Sequence, residues 1–178
     1  MLEHGQPLHA FDADALERIT GSAVDAKSFG VRPARDQEPF IGLDERELSL
    51  TADVQVVTCH DTPIAIAGVM GSQASGVTST TKNIWLESAM FSPARVRRSA
   101  RQVGLRTDAS ARYEKGLPAD LTLACSVRAT DLLQSHFSCN VGERWVGGPA
   151  PAKAHPVHLR RSALHALLGA LETENGPE

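Results

Sequence analysis

In the first half of the chain, short apolar runs are separated by polar segments. In the second half, apolar residues recur at the three- to four-residue spacing of a helix. Short apolar runs bounded by turn residues are typical of buried strands. They predict strands over residues 28–32, 39–43, 47–50, 54–58, 64–69 and 83–91. Polar segments between these runs, at 43–46 and 60–63, are expected to form turns.

Helical periodicity and end signals predict one short helix and two longer ones. Asp12 is placed to cap a helix over 13–18. The Ser-Pro pair at 92–93 predicts the start of a second helix, which Gly104 ends. A third helix is expected over 118–137. The apolar side of the second helix is predicted to carry Val96, Ala100 and Val103.

The order of elements predicts an α+β fold, a mixed β-sheet with helices packed on it. One more strand is expected at 142–145, before a linker rich in Gly, Pro and Ala. We therefore expect a first domain over 1–148, a linker over 149–156, and the start of a different module over 157–178. The abrupt start leads us to expect a first domain that is incomplete at its N-terminus.

Composition excludes several classes of protein. No run approaches the roughly 18 apolar residues that span a bilayer, and no signal peptide is visible at the start. The three cysteines form no CxxC pair, so neither a disulfide framework nor a zinc site is indicated. We expect buried thiols in a soluble cytoplasmic protein, with no metal site and no membrane partner.

A single carboxylate, Glu87, interrupts the apolar run at 83–91. Strand alternation places it on one face with Trp85 and Ala89. Taken alone, such a residue is more often a solvent-facing residue of an edge strand, but a buried acid without a partner tends to mark a site. His9, taken alone, is more often a packed loop residue, and the nearby Asp12 permits a weak Ser-His-Asp interpretation that no nucleophile motif supports.

Four motifs in order resemble the beta subunit of bacterial phenylalanyl-tRNA synthetase, and specifically its editing module. They are GQPLHAFD, AIAGVMG, NIWLESAMFSP followed by RRSAR, and GLRTDASARYEKG. The resemblance covers roughly residues 1–148, and the segment from Val157 looks like the beginning of the module that follows in that family.

The resemblance implies hydrolysis of tyrosine wrongly attached to phenylalanine tRNA. Glu87 matches the family's acid that holds the tyrosine hydroxyl, and His9 matches the histidine near the aminoacyl ester. Thr107 and Ala109 match positions that line the amino-acid pocket, and Gly71 matches a glycine where the backbone comes close to the ligand. We expect backbone NH groups near that glycine to orient the attacking water or to stabilise the oxyanion.

Two departures from the family pattern accompany these matches. Ser72 stands where the family usually has a second glycine, which puts the efficiency of editing in question. The turn at 44–45 is Asp-Glu where the family usually has Asp-Gly.

The basic helix leaves two functions open. A solvated helix face and contact with the tRNA backbone are about equally compatible with the arginines Arg97, Arg98 and Arg101. The alternative to an editing enzyme is therefore a non-catalytic module that binds tRNA or supports neighbouring domains. The resemblance implies tRNA(Phe) and an alpha subunit as partners. It implies no cofactor for this segment, and ATP and magnesium for the parent enzyme, because no ATP-binding motif is present here.

Overall fold

The computed structural model describes residues 8–148 and 156–169. The chain divides into two compact units, Met1–Val146 and Gly147–Glu178. The first holds eight strands and four α-helices within its described residues. In chain order they are β1 (Leu8–Asp12), α1 (Ala13–Thr20), β2 (Phe29–Pro33), β3 (Glu38–Ile41), β4 (Glu47–Leu50), β5 (Gln55–Cys59), β6 (Thr62–Ile66), β7 (Met70–Gly71), β8 (Ile84–Ser88), α2 (Pro93–Gln102), α3 (Asp108–Tyr113) and α4 (Asp120–His136). The second contains α5 (Arg161–Leu168).

The α+β class is confirmed, with the strands distributed over three small sheets. β1 pairs with β8, β3 pairs with β4, and the third sheet has the order β2-β5-β6-β7. All strand pairs in the described part of the chain are antiparallel. Because β1 and β8 lie far apart in sequence, their two-stranded ribbon is a long-range pairing.

Strands β5 and β6 contribute to two hydrophobic clusters because alternate side chains leave opposite faces of the sheet. Val56 and Ile66 pack in a cluster that includes Val96 of α2. Their neighbours Val57 and Ala65 pack in a second cluster, which includes Phe11 of β1 and Leu16 of α1. The central sheet therefore connects the basic helix on one side to the β1–β8 ribbon on the other.

The helix ends follow the expected local chemistry in most cases. The Asp12 carboxylate accepts a hydrogen bond of 2.8 Å from the Ala15 amide, so the predicted cap of α1 is confirmed. Gly104 follows α2 with φ of +63°, as expected of a helix stop. Ser92 is at the N-cap of α2, but its hydroxyl makes no capping hydrogen bond.

An arginine fork joins β2 to β3 and to the turn between β5 and β6. Arg32 donates hydrogen bonds of 2.7 and 2.9 Å to the Glu38 carboxylate, and one of 2.6 Å to Asp61. Arg35 also pairs with Asp61. The hydrogen bonds from Arg32 hold the pKa of Glu38 and Asp61 below their ordinary values. Arg35 and Glu38 thus belong to a structural ion-pair network.

Most predicted elements are found within a few residues of their expected bounds, and three differences stand out. The expected strand at 142–145 is wrong, because residues 141–147 are exposed and form no strand. The short helix α3 was not predicted. Cys59 and Cys125 are buried as expected, but Cys139 is exposed, so the prediction of three buried thiols is wrong at that position.

The two compact units meet at Val146/Gly147, and the identity of the predicted domains stays a prediction. Residues 149–155 of the predicted linker lie outside the described residues, as does the end of the chain from residue 170. Within the described part of the chain, no helix has the length and apolar character needed to cross a bilayer.

Gly68, in the turn between β6 and β7, has φ of +68°, and a Cβ atom added there would lie 3.0 Å from Val96 Cγ2 and 3.2 Å from the Tyr113 ring. Gly68→Ala should therefore combine a left-handed backbone cost of about 1–2 kcal/mol with an overpacking cost of about 1–3 kcal/mol. The free energy of unfolding in urea measures the sum.

Gly104→Ala is the matched control, because Gly104 has φ of +63° but nothing within 4 Å of an added Cβ. It should show the backbone cost alone. Equal losses of stability in the two variants would contradict close packing at the Gly68 turn.

Candidate functional site

The pairing of β1 with β8 brings His9 and Glu87 directly opposite each other. Side chains at opposed positions of an antiparallel pair share one face, with Cβ atoms about 5 Å apart. Phe11 lies opposite Trp85 in the same ribbon, so these four side chains occupy one face. The sequence prediction that Glu87 and Trp85 share a face agrees with this register.

Glu87 is a half-buried acid that receives no hydrogen bond or ion pair from any other residue in the described ranges. Desolvation disfavours its ionised form and raises its pKa to about 7. At neutral pH its carboxyl group is therefore divided between the protonated and the ionised form. An acid in this condition is ready to accept a hydrogen bond from a ligand that supplies a donor.

His9 is held against the backbone of Gly71. A Cβ atom on Gly71 would lie 2.5 Å from His9 Cε1 and 2.6 Å from Nε2, so the imidazole occupies the space that any other residue would need. The φ of Gly71 is not in the left-handed region. The requirement for glycine at this position is consequently one of space rather than of backbone conformation.

The His9 ring is neutral at pH 7, and one of its nitrogens is unused. Burial lowers the pKa of His9 below its ordinary value. Nε2 is buried and has no hydrogen-bond partner among the described residues. Such a nitrogen can accept a proton from water or position an ester, which are the tasks of a general base or an orienting group.

Asp12 does not orient His9. It is three positions along β1, on the opposite face, and its two oxygens are used by the Ala15 amide and the Thr81 hydroxyl. The Ser-His-Asp interpretation therefore has no support from the geometry.

The hydroxyl of Thr107 is committed to scaffold bonds. It donates to the Val69 carbonyl at 2.8 Å and accepts from the Ser110 amide at 3.1 Å, which caps α3. Thr107 thus ties α3 to the turn that precedes Gly71. Ala109 is exposed on α3. That either residue lines an amino-acid pocket stays a prediction.

Several amides near Gly71 already have partners. The Ser72 amide donates to the Ile64 carbonyl, and the Val69 amide donates to the Ile66 carbonyl. The Ala74 amide donates to the Ser72 hydroxyl at 3.2 Å. An oxyanion hole made of these three groups would require them to exchange partners.

Ser72 fits its position without strain. Its φ of −78° and ψ of 142° are open to any residue, and its hydroxyl caps the short 3-10 helix Gln73–Ser75. A glycine is therefore not needed here for backbone conformation. The Gly71 carbonyl, in turn, accepts a bond of 3.0 Å from the Leu43 amide, which anchors the tip of the β3–β4 hairpin beside His9.

Two of the three predicted tRNA-contact arginines are engaged by acids. Arg97 donates to the Glu114 backbone carbonyl at 3.1 Å and lies 3.8 Å from the Glu114 carboxylate, and Arg98 lies 3.5 Å from the Asp53 carboxylate. Arg101 is exposed. Contact between these side chains and tRNA stays a prediction.

The structure adds Tyr113, the only tyrosine of the chain, to the neighbourhood of Glu87. It is buried, and burial together with the charge of Glu87 raises its pKa above the ordinary value. Sequence reasoning included Tyr113 in a matched motif but assigned it no role. The segment from Thr107 to Tyr113 is too short for its apolar positions to show a helical period, so the sequence alone does not place Tyr113 on a buried helix face.

Metal ligands do not gather in the described part of the chain: no group of three or more His, Cys, Asp or Glu side chains is placed to hold an ion there.

Comparison with known proteins matches residues 1–138 to the family model described as the B3/4 domain. The chain is 67% identical over its whole length to the phenylalanine–tRNA ligase beta subunit of Synechococcus sp. (strain CC9605). It is 68% identical, over 99% of its length, to the same subunit of Parasynechococcus marenigrum (strain WH8102). It is 58% identical, over 98%, to that of Prochlorococcus marinus (strain MIT 9313).

The chain spans 22% of the length of each of these relatives. The resemblance drawn from the four sequence motifs is therefore confirmed.

The buried carboxyl of Glu87 makes stability depend on pH. Its pKa is about 7 in the folded chain, against an ordinary value of 4.5, so the folded state retains a proton that the unfolded state releases. The wild-type chain should lose stability as pH rises from about 4.5 to 7, by at most about 3 kcal/mol. Glu87→Gln should remove this loss, so its stability relative to wild type should rise over the same interval and level off above it.

Urea unfolding of both chains between pH 4.5 and 8 measures the difference. The control is Glu47→Gln, which removes an exposed carboxylate on β4. If the difference in unfolding free energy between Glu87→Gln and wild type depends on pH as little as that of the control, desolvation of Glu87 is contradicted.

Gly71→Ala should displace the His9 ring, because the added methyl occupies its place. The pKa of His9 should then rise toward its ordinary value as the ring gains water. Titration of the His9 ring protons by NMR measures this. Gly142→Ala, where nothing lies within 4 Å, should leave the titration unchanged. An unchanged titration in Gly71→Ala would show that the ring does not depend on this contact.

Proposed function

The chain belongs to the B3/4 domain family, and from that membership we propose that its site at Glu87 and His9 hydrolyses tyrosine wrongly attached to tRNA(Phe). The observation that carries the proposal is the half-buried carboxyl of Glu87, which has no partner in the described ranges and stands opposite His9. A site built in this way suits a ligand that brings its own hydrogen-bond donor.

Tyrosine presents an editing problem because it differs from phenylalanine only by a hydroxyl group. An apolar pocket that selects the amino acid for attachment to tRNA discriminates against such a near-isostere by only about 100-fold. A second site must therefore recognise the hydroxyl directly. The phenol of tyrosine would donate to Glu87, and a hydrogen bond to an ionised acceptor is about twice as strong as a neutral one. Phenylalanine would cover the same carboxyl without pairing it.

The charge state of Glu87 contributes to this selectivity. A phenol that donates to the carboxylate stabilises the ionised form, so tyrosine binding should lower the pKa of Glu87 from about 7. Phenylalanine offers no such stabilisation. Discrimination between the two amino acids should accordingly strengthen as pH rises through 7.

His9 serves the hydrolysis step in this proposal. Its ring is neutral, and Nε2 is unpartnered within the described chain and packed against Gly71. That nitrogen would orient the ester carbonyl or accept a proton from the attacking water. Gly71 contributes by leaving room for the ring.

The wider context comes from the relatives named phenylalanine–tRNA ligase beta subunit. We propose that this chain is part of such a subunit and assembles in the cytoplasm with an alpha subunit. Charging of tRNA(Phe) with phenylalanine, using ATP and magnesium, would take place elsewhere in that enzyme. The role of this segment would be to correct the product without a cofactor of its own.

A non-catalytic tRNA-binding role has weaker support. It depends on the basic face of α2, where Arg97 and Arg98 contact Glu114 and Asp53. Each would have to give up an acidic partner to reach a phosphate. We therefore favour the editing site, with tRNA contacts by this helix as an accessory to it.

Glu87→Ala should abolish the preference for tyrosine. The full chain releases tyrosine from tyrosyl-tRNA(Phe) if the proposal holds, and the rate should fall at least tenfold in the variant because the hydroxyl loses a charged acceptor worth about 1.5–3 kcal/mol. Release of the aminoacyl group from phenylalanyl-tRNA(Phe) is measured in parallel and should not fall.

Glu47→Ala, at an exposed carboxylate, is the matched control and should behave as wild type. Equal hydrolysis of tyrosyl-tRNA(Phe) by wild type and Glu87→Ala would reject the role of Glu87. An inactive wild-type chain with tRNA affinity retained would favour the non-catalytic module instead.

A further inference from the structure

Tyr113 is at the C-terminal end of α3 and is buried in the cluster that also holds Val96 and Ile66. Its ring lies against the Gly68 turn, where an added Cβ would approach it to 3.2 Å. On another side it contacts Phe91, with ring centroids 5.4 Å apart. The ring therefore has little freedom to move.

The hydroxyl of Tyr113 is directed at the end of β8. It donates a hydrogen bond of 2.9 Å to the carbonyl of Ala89, two residues after Glu87. β8 ends at Ser88, and this bond fixes the chain just where strand pairing stops.

Burial and, after it, the charge of Glu87 raise the pKa of the Tyr113 phenol. Its hydrogen bond nevertheless goes to Ala89, which leaves the carboxyl of Glu87 open. The phenol of Tyr113 thus makes no hydrogen bond to Glu87, the acid that would accept a hydrogen bond from the phenol of a ligand.

We propose that Tyr113 is a positioning residue for Glu87: its bond to Ala89 fixes the end of β8, so that Glu87 is held unpartnered and aimed at a ligand hydroxyl. The inference rests on the proposed editing function and extends it to a specificity-determining residue. Tyr113 would touch neither the ester nor the water.

Three other groups belong to the same neighbourhood. His9 faces it from β1. The thiol of Cys125, on α4, lies near enough to influence Tyr113. On the remaining side, the Ser88 hydroxyl donates to the Thr122 carbonyl of α4 at 2.6 Å, which holds the neighbouring position of the strand. Removal of the Tyr113 hydroxyl eliminates the bond to Ala89 and leaves these three groups in place.

The test is Tyr113→Phe in the full chain, which keeps the ring and removes the bond to Ala89. L-Tyrosine amide and L-phenylalanine amide serve as probes, and their affinities are measured by NMR titration. The ratio of tyrosine to phenylalanine affinity should fall about fivefold, the equivalent of one neutral hydrogen bond. The affinity for phenylalanine amide should not change. The titration midpoint of the Glu87 carboxyl carbon should fall from about 7 toward 4.5.

Thr20→Val is the matched control, because it also removes a hydroxyl bonded to a backbone carbonyl, that of Leu16 at 2.8 Å in α1. It should alter neither the affinity ratio nor the midpoint. If Tyr113→Phe does not fold, Phe91→Leu loosens the ring contact while keeping the hydroxyl, and the same measurements apply.

A purely structural role gives a different result. Tyr113→Phe would then unfold at lower urea concentration while the affinity ratio and the Glu87 midpoint stay at their wild-type values, which would overturn the proposal. A wild-type chain that binds both amides equally would reject the editing function instead. In that case the midpoint alone decides: a fall in Tyr113→Phe supports positioning, and no change rejects it.

Discussion

The pairing of β1 with β8 is the constraint on which the site depends. It places His9 opposite Glu87, although neither residue is near the other in sequence. A shift of one residue would turn one of the two side chains to the other face of the ribbon. The register is held by Phe11, which is almost fully buried against Leu16 and Ile64. Packing of one aromatic ring thus fixes the relative positions of the two groups in the proposed site.

Burial of an acid without a partner is unfavourable, and the surrounding structure sustains it. Leu43, Thr107 and Tyr113 each bond to a backbone carbonyl in the segments that frame the site, at Gly71, Val69 and Ala89. None of these donors makes a hydrogen bond to Glu87 itself. These donors are satisfied within the scaffold, so Glu87 and the Nε2 atom of His9 keep unused hydrogen-bonding capacity, as is common at functional sites.

The sequence was sufficient to predict the α+β class and most elements, and it singled out Glu87 as a candidate site residue. Local periodicity and capping chemistry identify α1 and α2 because these signals lie within a few residues of each helix. The helix α3 was not predicted because six residues are too few to show a helical period. The segment 142–145 has strand-like residues but forms no strand, since local pattern says nothing about whether a partner strand is available.

The candidate site could be predicted only in part, because local sequence does not show which distant residues pack together. His9, Glu87 and Gly71 were identified by resemblance, but the contact between the His9 ring and Gly71 arises from tertiary packing. The raised pKa of Glu87 depends on how much protein surrounds it, which no neighbouring residue in sequence reveals. Ser72 looked like a departure with functional weight, yet its ordinary dihedral angles give it a simple place as a helix cap.

The distance along the chain between the two strands of the ribbon also sets an order of events during synthesis. His9 leaves the ribosome 78 residues before Glu87 (residue 87 minus residue 9). At roughly 5–20 residues per second, β1 waits roughly 4–16 s for its partner strand. The central sheet β2-β5-β6-β7 lies wholly within that interval, so its strands are available first and can offer the nascent β1 an apolar surface. The β1–β8 ribbon, and with it the proposed site, can therefore form only after the central sheet has left the ribosome.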